Sequence, residues 1–208
     1  MPQPPNPFYE TFVAPYVFDL LSAAVFGPSS LASLRDRVVD QLMLTSEMRV
    51  LELGCGSGAV TRRLVATGAQ TVAVDRSGAM LRRARRRAPG ADFRLADATA
   101  FESAQPFQRV LCMFFLHELD SGERTEVLRR VGRLLTRDGF ALVVDVADGG
   151  GPARSAWRRF VDSFEPPTVR EVMAGALLRE AVEAGLQVGD CQRPLDGRVQ
   201  VIPLRVAP

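Results

Sequence analysis

From residue 49 onward, short apolar runs alternate with longer stretches in which apolar residues recur every three or four positions. The short runs, rich in Val and Leu, predict strands at 49–53, 71–75, 92–96, 109–114 and 140–146. The periodic stretches between them predict helices. One covers 59–67 and ends at Gly68, a residue suited to the left-handed C′ position. A second covers 78–88, capped by Ser77 and stopped by Pro89-Gly90. A third covers 123–135, capped by Ser121, and Arg137-Asp138-Gly139 reads as the turn that follows.

The flanks carry a different rhythm. Residues 1–7 are Pro-rich and read as an arm. Phe8, Phe12, Tyr16 and Leu20 fall at i, i+4 spacing and predict an amphipathic helix over 8–26, with Pro15 at a break or first turn. Leu34, Val38 and Leu42 predict a second helix over 31–44, after the turn Gly27-Pro28-Ser29-Ser30. Past a glycine loop at 149–151, helices are expected over 156–164 and 169–185, separated by Pro166-Pro167. Two strands, 186–191 and 199–206, close the chain. Their link, 192–198, is too short for a parallel crossover, so this pair is expected to be antiparallel.

Five strands separated by helices specify an α/β fold: a parallel sheet with helices on both faces. The closing pair makes it a mostly parallel seven-stranded sheet with one antiparallel strand. At 208 residues the chain reads as a single domain: a helical cap over 1–44, a core over 49–146, and closing helices and strands over 147–208. No internal repeat or low-complexity segment interrupts it.

Composition narrows the function. No apolar run approaches the roughly 20 residues of a membrane span. The N-terminus lacks the basic and apolar regions of a signal peptide, so a cytoplasmic location is expected. All 26 basic residues are arginine. Without lysine there is no P-loop chemistry, no pyridoxal Schiff base and no lysine-assisted hydride transfer. A net charge of +2 gives no reason to expect nucleic acid. The arginine run at 82–87 shares its helix with an apolar face of Met80, Leu81, Ala84 and Ala88, and reads as a solvated surface. Three distant cysteines (Cys55, Cys112, Cys191) and the single His117 offer no zinc spacing, so no metal site is assigned and buried, reduced thiols are expected.

The chemistry concentrates at residues 50–58, V-L-E-L-G-C-G-S-G. An apolar strand runs into glycines 54, 56 and 58, and the following strand ends on Asp75. Glycines let the backbone turn tightly and approach a ligand. A carboxylate at the next strand end can accept from both vicinal hydroxyls of a ribose. Glu52 can accept from an ammonium. The G-x-G-x-G spacing departs from the dinucleotide fingerprint G-x-G-x-x-G.

This loop, with Asp75-Arg76-Ser77-Gly78-Ala79-Met80-Leu81 after it, resembles the cofactor site of the class I S-adenosylmethionine-dependent methyltransferases, a Rossmann-like fold. The resemblance is firm over 49–146 and loose in the flanks. It implies S-adenosyl-L-methionine as cofactor and, as cofactor-binding residues, Glu52, Gly54, Cys55, Gly56, Gly58, Asp75, Arg76, Met80, Asp97, Ala98 and Phe114. Met80 is then expected to pack on the adenine, with Asp97 accepting from its N6 amine and Ala98 donating to N1. Tyr16 supplies a hydroxyl from the N-terminal flank, with Tyr9 also nearby.

The stretch Phe114–Leu119 is similar to the L-H-E-L run of small-molecule methyltransferases, which makes His117 and Glu118 the candidate catalytic pair. A lone histidine can equally pack beneath the sheet edge, and Glu118 can cap the following loop. Two positions depart from the family pattern. Phe107-Gln108 stands where relatives have Phe-Asp, in a role that looks architectural. Phe18-Asp19 stands where many have Tyr-Asp.

Methyl transfer from a sulfonium is an in-line displacement that needs positioning and a dry site more than a fixed catalytic set. The aromatic flanks suit a small, partly apolar acceptor. Asp145 and Asp148, after strand five, can hold a polar group or metal, although a lone acidic pair is more often solvated and no metal is assigned. The expected partners are that small molecule and, at most, a second copy of the chain as a homodimer. Two alternatives stay open: an S-adenosylmethionine-binding protein with a cyclising, regulatory or assembly role, and a nicotinamide oxidoreductase. The glycine spacing, the missing lysine and Asp97 argue against the second.

Overall fold

The computed structural model describes residues 27–150, 155, 157–159, 161 and 167–207. The helix expected over 8–26, with Tyr9, Tyr16 and Phe18-Asp19, lies outside the described residues, as do parts of the 156–164 helix.

Helix α1 (Pro28–Gln41) packs Leu31, Leu34, Val38 and Val39 into the core. The elements that follow are β1 (Arg49–Leu53), α2 (Thr61–Ala66), β2 (Gln70–Asp75), α3 (Gly78–Arg87), β3 (Asp92–Leu95) and β4 (Phe107–Met113). After a single 3-10 turn (Leu116–Glu118) come α4 (Ser121–Leu134), β5 (Leu135–Val146), α5 (Thr168–Met173), α6 (Ala176–Glu183), β6 (Leu186–Val188) and β7 (Val199–Val206). The seven strands form one sheet in the order β3-β2-β1-β4-β5-β7-β6. Strand β7 runs antiparallel to both of its neighbours, and the pairs among the first five strands are parallel. This is the expected mostly parallel sheet with one reversed strand. Strand order reverses between β1 and β4, where open α/β sheets leave a crevice at the carboxyl ends.

Both faces of the central strands are covered, so they read as continuous apolar runs. Val50, Leu51, Leu53, Val110, Leu111 and Val144 are wholly buried. Helix α3 behaves as its pattern required: Ala79, Met80, Leu81 and Ala84 are buried, while Arg82, Arg85 and Arg86 are exposed. Ser77 caps it, accepting the Met80 N–H at 3.2 Å. Gly68 takes the left-handed conformation past α2, at φ +84°. Among the described residues no helix is long and apolar enough to cross a membrane.

Four expectations change. Helix α4 starts at Ser121, and its cap is Asp120, not Ser121. The Asp120 carboxylate accepts the Glu123 N–H at 2.8 Å and the Glu123 side chain accepts the Asp120 N–H, a reciprocal capping box. Strand β5 begins at Leu135, taking in the expected turn at 137–139 as an irregularity opposite Phe107 and Arg109. There Gly139 sits so close to the Gln108 carbonyl that a Cβ would stand 3.0 Å from it. The helix expected over 169–185 is two helices, because Gly175 adopts φ +88° between them. Cys55 and Cys112 are buried, with burial pushing both thiols up, but Cys191 is exposed.

Candidate cofactor site

A cavity of about 1110 Å³, counting its open mouth, lies over the carboxyl ends of β1, β2, β3 and β4. Its wall includes Glu52, Gly54, Cys55, Gly56, Asp75, Arg76, Met80, Asp97, Ala98, Phe114 and Glu118. Of the expected described set, Gly58 and His117 are not in that wall.

The glycines divide the work. Gly54 (φ +71°) lies beneath the Phe115 ring, whose Cγ would stand only 2.4 Å from an added Cβ. Gly58 (φ +77°) lets the loop meet α3, since a Cβ would come within 2.9 Å of the Ala84 Cα. Only Gly56 (φ +50°) has open space where a side chain would go, and it alone leaves room for a ligand by lacking one. Four of the five amides at 54–58 are spent within the protein. Gly54 and Cys55 donate to the Val74 carbonyl, Gly56 donates to Asp75 Oδ2, and Gly58 donates to the Cys55 carbonyl. The loop therefore contributes shape more than free donors.

Three carboxylates converge on this cavity from adjacent strands. Asp75 is braced by two backbone N–H groups, Gly56 on Oδ2 at 2.7 Å and Ser77 on Oδ1 at 2.8 Å. A carboxylate can accept from both hydroxyls of a vicinal diol. Asp97 accepts the Thr99 N–H and hydroxyl, both on Oδ1 and both at 2.8 Å, and Oδ2 has no hydrogen-bond partner among the described residues. Glu52 is 3% exposed and accepts the Thr61 hydroxyl on Oε2 at 2.6 Å, while Oε1 has no hydrogen-bond partner among the described residues. Burial, the largest cause, pushes the Glu52 carboxyl up to about 8, with the Asp75 charge adding and the Thr61 bond and Arg35 opposing. A buried carboxyl with one unbonded oxygen, facing a cavity, fits a cationic hydrogen-bond donor such as an ammonium.

At the end of β4 the backbone is strained. Phe114 holds φ +53°, unusual for an aromatic residue, and its N–H donates to the Val144 carbonyl at 2.8 Å. The 3-10 turn then sends Glu118 to the cavity wall and turns His117 away. His117 is buried, with Nδ1 at 2.6 Å from Asp145 Oδ1. Asp145 and Asp148, considered together for a polar group, are engaged separately: Asp148 pairs with Arg158. Gln108 fills the architectural role suggested for it, its amide oxygen accepting the Arg49 N–H at 2.8 Å.

Sequence reasoning missed Arg35 of α1, Phe115, and Glu123 of α4, all of which line the cavity. Arg35 and Glu123 lie on helices where a polar position facing a cavity looks like one facing solvent. Phe115 had a signal in its neighbour, because the strand-end aromatic pair flanks the glycine loop.

Residues 50–139 match the sequence model of a family described as a methyltransferase domain. The chain is 32% identical over 142 residues to a trans-aconitate 2-methyltransferase of Methylobacterium nodulans, covering 67% of this chain and 53% of that protein. It spans about half the length of the curated relatives it matches. The fold is similar to a magnesium protoporphyrin IX methyltransferase from Synechocystis with bound S-adenosylhomocysteine. That match has a TM-score of 0.67 at 15% identity and covers 85% of this chain and 83% of that one. It is equally similar to a [4+2]-cyclase, with a TM-score of 0.67 at 16% identity, covering 86% of this chain and 82% of that one. The glycine loop, the three strand-end carboxylates, the sheet order and these matches agree, and together they support a class I S-adenosylmethionine-dependent methyltransferase domain around residues 50–139.

Proposed function

We propose that the protein transfers a methyl group from S-adenosyl-L-methionine to a small, partly apolar acceptor. The observation that carries this reading is the convergence of Glu52, Asp75 and Asp97 from adjacent strand ends on one cavity beside Gly56. Asp75 would hold the ribose hydroxyls, Asp97 and Ala98 the adenine edge, and Met80 its face. Glu52 would take the methionyl ammonium, and Arg35, a cation in the same wall, suits the carboxylate. When bound, the cofactor supplies an electrophilic methyl carried on a sulfonium. The protein's part is to orient the acceptor and exclude water. Glu118, on the β4 side of the cavity, is the group placed to take a proton from an acceptor that must lose one. We read residues 1–208 as one domain, with 1–44 as a helical cap and the segments after β5 forming the acceptor side.

The test is calorimetry with S-adenosylhomocysteine. The wild-type protein is expected to bind with micromolar affinity, and Asp75→Ala to weaken binding at least about tenfold by removing a charged acceptor of two hydrogen bonds. No binding by the wild type sinks the reading.

A second reading, a cofactor-binding protein of this fold that does not methylate, is favoured by one observation: His117 is outside the cavity wall, which leaves Glu118 as the candidate base. The cyclase of similar fold is a precedent for other chemistry on this scaffold. Binding without release of S-adenosylhomocysteine across a broad panel of phenols, amines and carboxylic acids would favour this second reading.

A further inference from the structure

Asp145, near the end of β5, is wholly buried, and both of its carboxylate oxygens are engaged. Oδ1 meets His117 Nδ1 at 2.6 Å and accepts the Val146 N–H at 2.7 Å. Oδ2 accepts the backbone N–H of the same His117 at 3.2 Å. One carboxylate thus grips both the ring and the main chain of a residue 28 positions away. The His117 carbonyl accepts the Thr168 hydroxyl of α5 at 2.5 Å. Two residues on, the Leu119 carbonyl accepts Arg124 Nη1 at 2.7 Å.

These bonds fix the 3-10 turn from three directions: the sheet, α5 and α4. Residues on either side of His117 line the cavity, with Phe114 and Phe115 before it and Glu118 and Leu119 after it. Phe115 also rests on Gly54, so a shift of the turn would be felt by the glycine loop. Leaving any of these buried groups unpaired costs more than the bond itself contributes.

We propose that Asp145 and His117 form a positioning pair, which acts on the cavity by fixing the turn that carries Phe115 and Glu118. Asp145 accepts from Nδ1–H and so sets the imidazole tautomer, as a carboxylate does for a histidine it orients. His117 then acts through the turn and not on the acceptor, because it lies outside the cavity wall. The inference rests on the proposed cofactor site for its affinity readout, and the spectroscopic arm is independent of that site.

The chain has one histidine, so its imidazole gives an unambiguous set of signals in ¹⁵N–¹H spectra. The expected result is a protonated Nδ1 whose proton is shifted far downfield and exchanges slowly, and its loss in Asp145→Asn. His117→Asn keeps an amide N–H near the position of Nδ1 and discards the rest of the ring. His117→Leu keeps bulk and removes the donor. S-adenosylhomocysteine affinity should stay near the wild-type value in His117→Asn. It should fall about tenfold in His117→Leu and Asp145→Asn, the scale of a buried polar group left unpaired. An unprotonated Nδ1 in the wild type overturns the proposal. So does wild-type affinity in His117→Leu, or equal loss in His117→Asn and His117→Leu, which would mean that the ring itself meets the ligand. If His117→Leu does not fold, Asp145→Asn carries the affinity comparison. If the wild type does not bind, the cofactor reading fails, and the spectra still decide the pairing.

Discussion

Glu52 carries the clearest consequence at the scale of a single residue. Its carboxyl is raised from 4.5 to about 8, chiefly by burial. Between those values the folded protein holds a proton at this position that the unfolded chain has released, so raising the pH through this window lowers stability. Glu52→Gln keeps the shape and removes the titration. In urea denaturation, the stability of Glu52→Gln relative to wild type is expected to rise between about pH 5 and pH 9, by up to a few kcal/mol. Ligand binding should show the opposite slope. A paired ammonium favours the ionised carboxylate, so wild-type affinity for S-adenosylhomocysteine should tighten from about pH 6 to pH 8, with proton release visible in buffers of different ionisation enthalpy. A flat affinity profile would remove Glu52 from the ammonium site. That Glu52 faces the cavity was legible in its place two residues before Gly54. Its raised carboxyl was not, because burial is a property of the packed sheet.

At the scale of elements, the alternating pattern predicted strand and helix identities well and their junctions less well. The start of α4 is an example. Ser121 and Asp120 are both good caps by type, and only the observed bonds distinguish them: Asp120 accepts from Glu123, while the Ser121 hydroxyl donates to Glu180. Asp120→Ala should therefore cost about 1 kcal/mol in urea denaturation, and Asp120→Ser should recover most of that loss. No loss in Asp120→Ala would return the cap to Ser121. Junctions resist sequence reading because they depend on neighbours. Leu135 joins β5 because Phe107 is there to pair with it, and α5 stops before Gly175 although its apolar rhythm continues into α6.

At the scale of the whole molecule, one buried cation ties α5 and α6 to α4. Arg124 is inaccessible to solvent, and its guanidinium reaches Glu180 of α6, Glu171 of α5 and the Leu119 carbonyl. Removing one partner strands a buried charge. Arg124→Met or Glu180→Leu alone should each cost about 3–5 kcal/mol, and the double variant less than their sum. Glu171, whose side chain is 55% exposed, should contribute below about 1 kcal/mol when replaced by Gln. Additive losses in the double-mutant cycle would show that the pair is not coupled.

The sequence by itself determined the sheet and most of the cavity wall. Strand periodicity, glycine spacing and strand-end carboxylates are local features, and in a parallel sheet the carboxyl ends of adjacent strands must meet. Only the tertiary structure decided which glycine faces open space, that Arg35 enters the cavity, and that His117 turns to Asp145 while Glu118 lines the wall. Those outcomes depend on contacts between residues far apart in the chain, where side chains of the same type and local spacing can face either way until the packed neighbours choose.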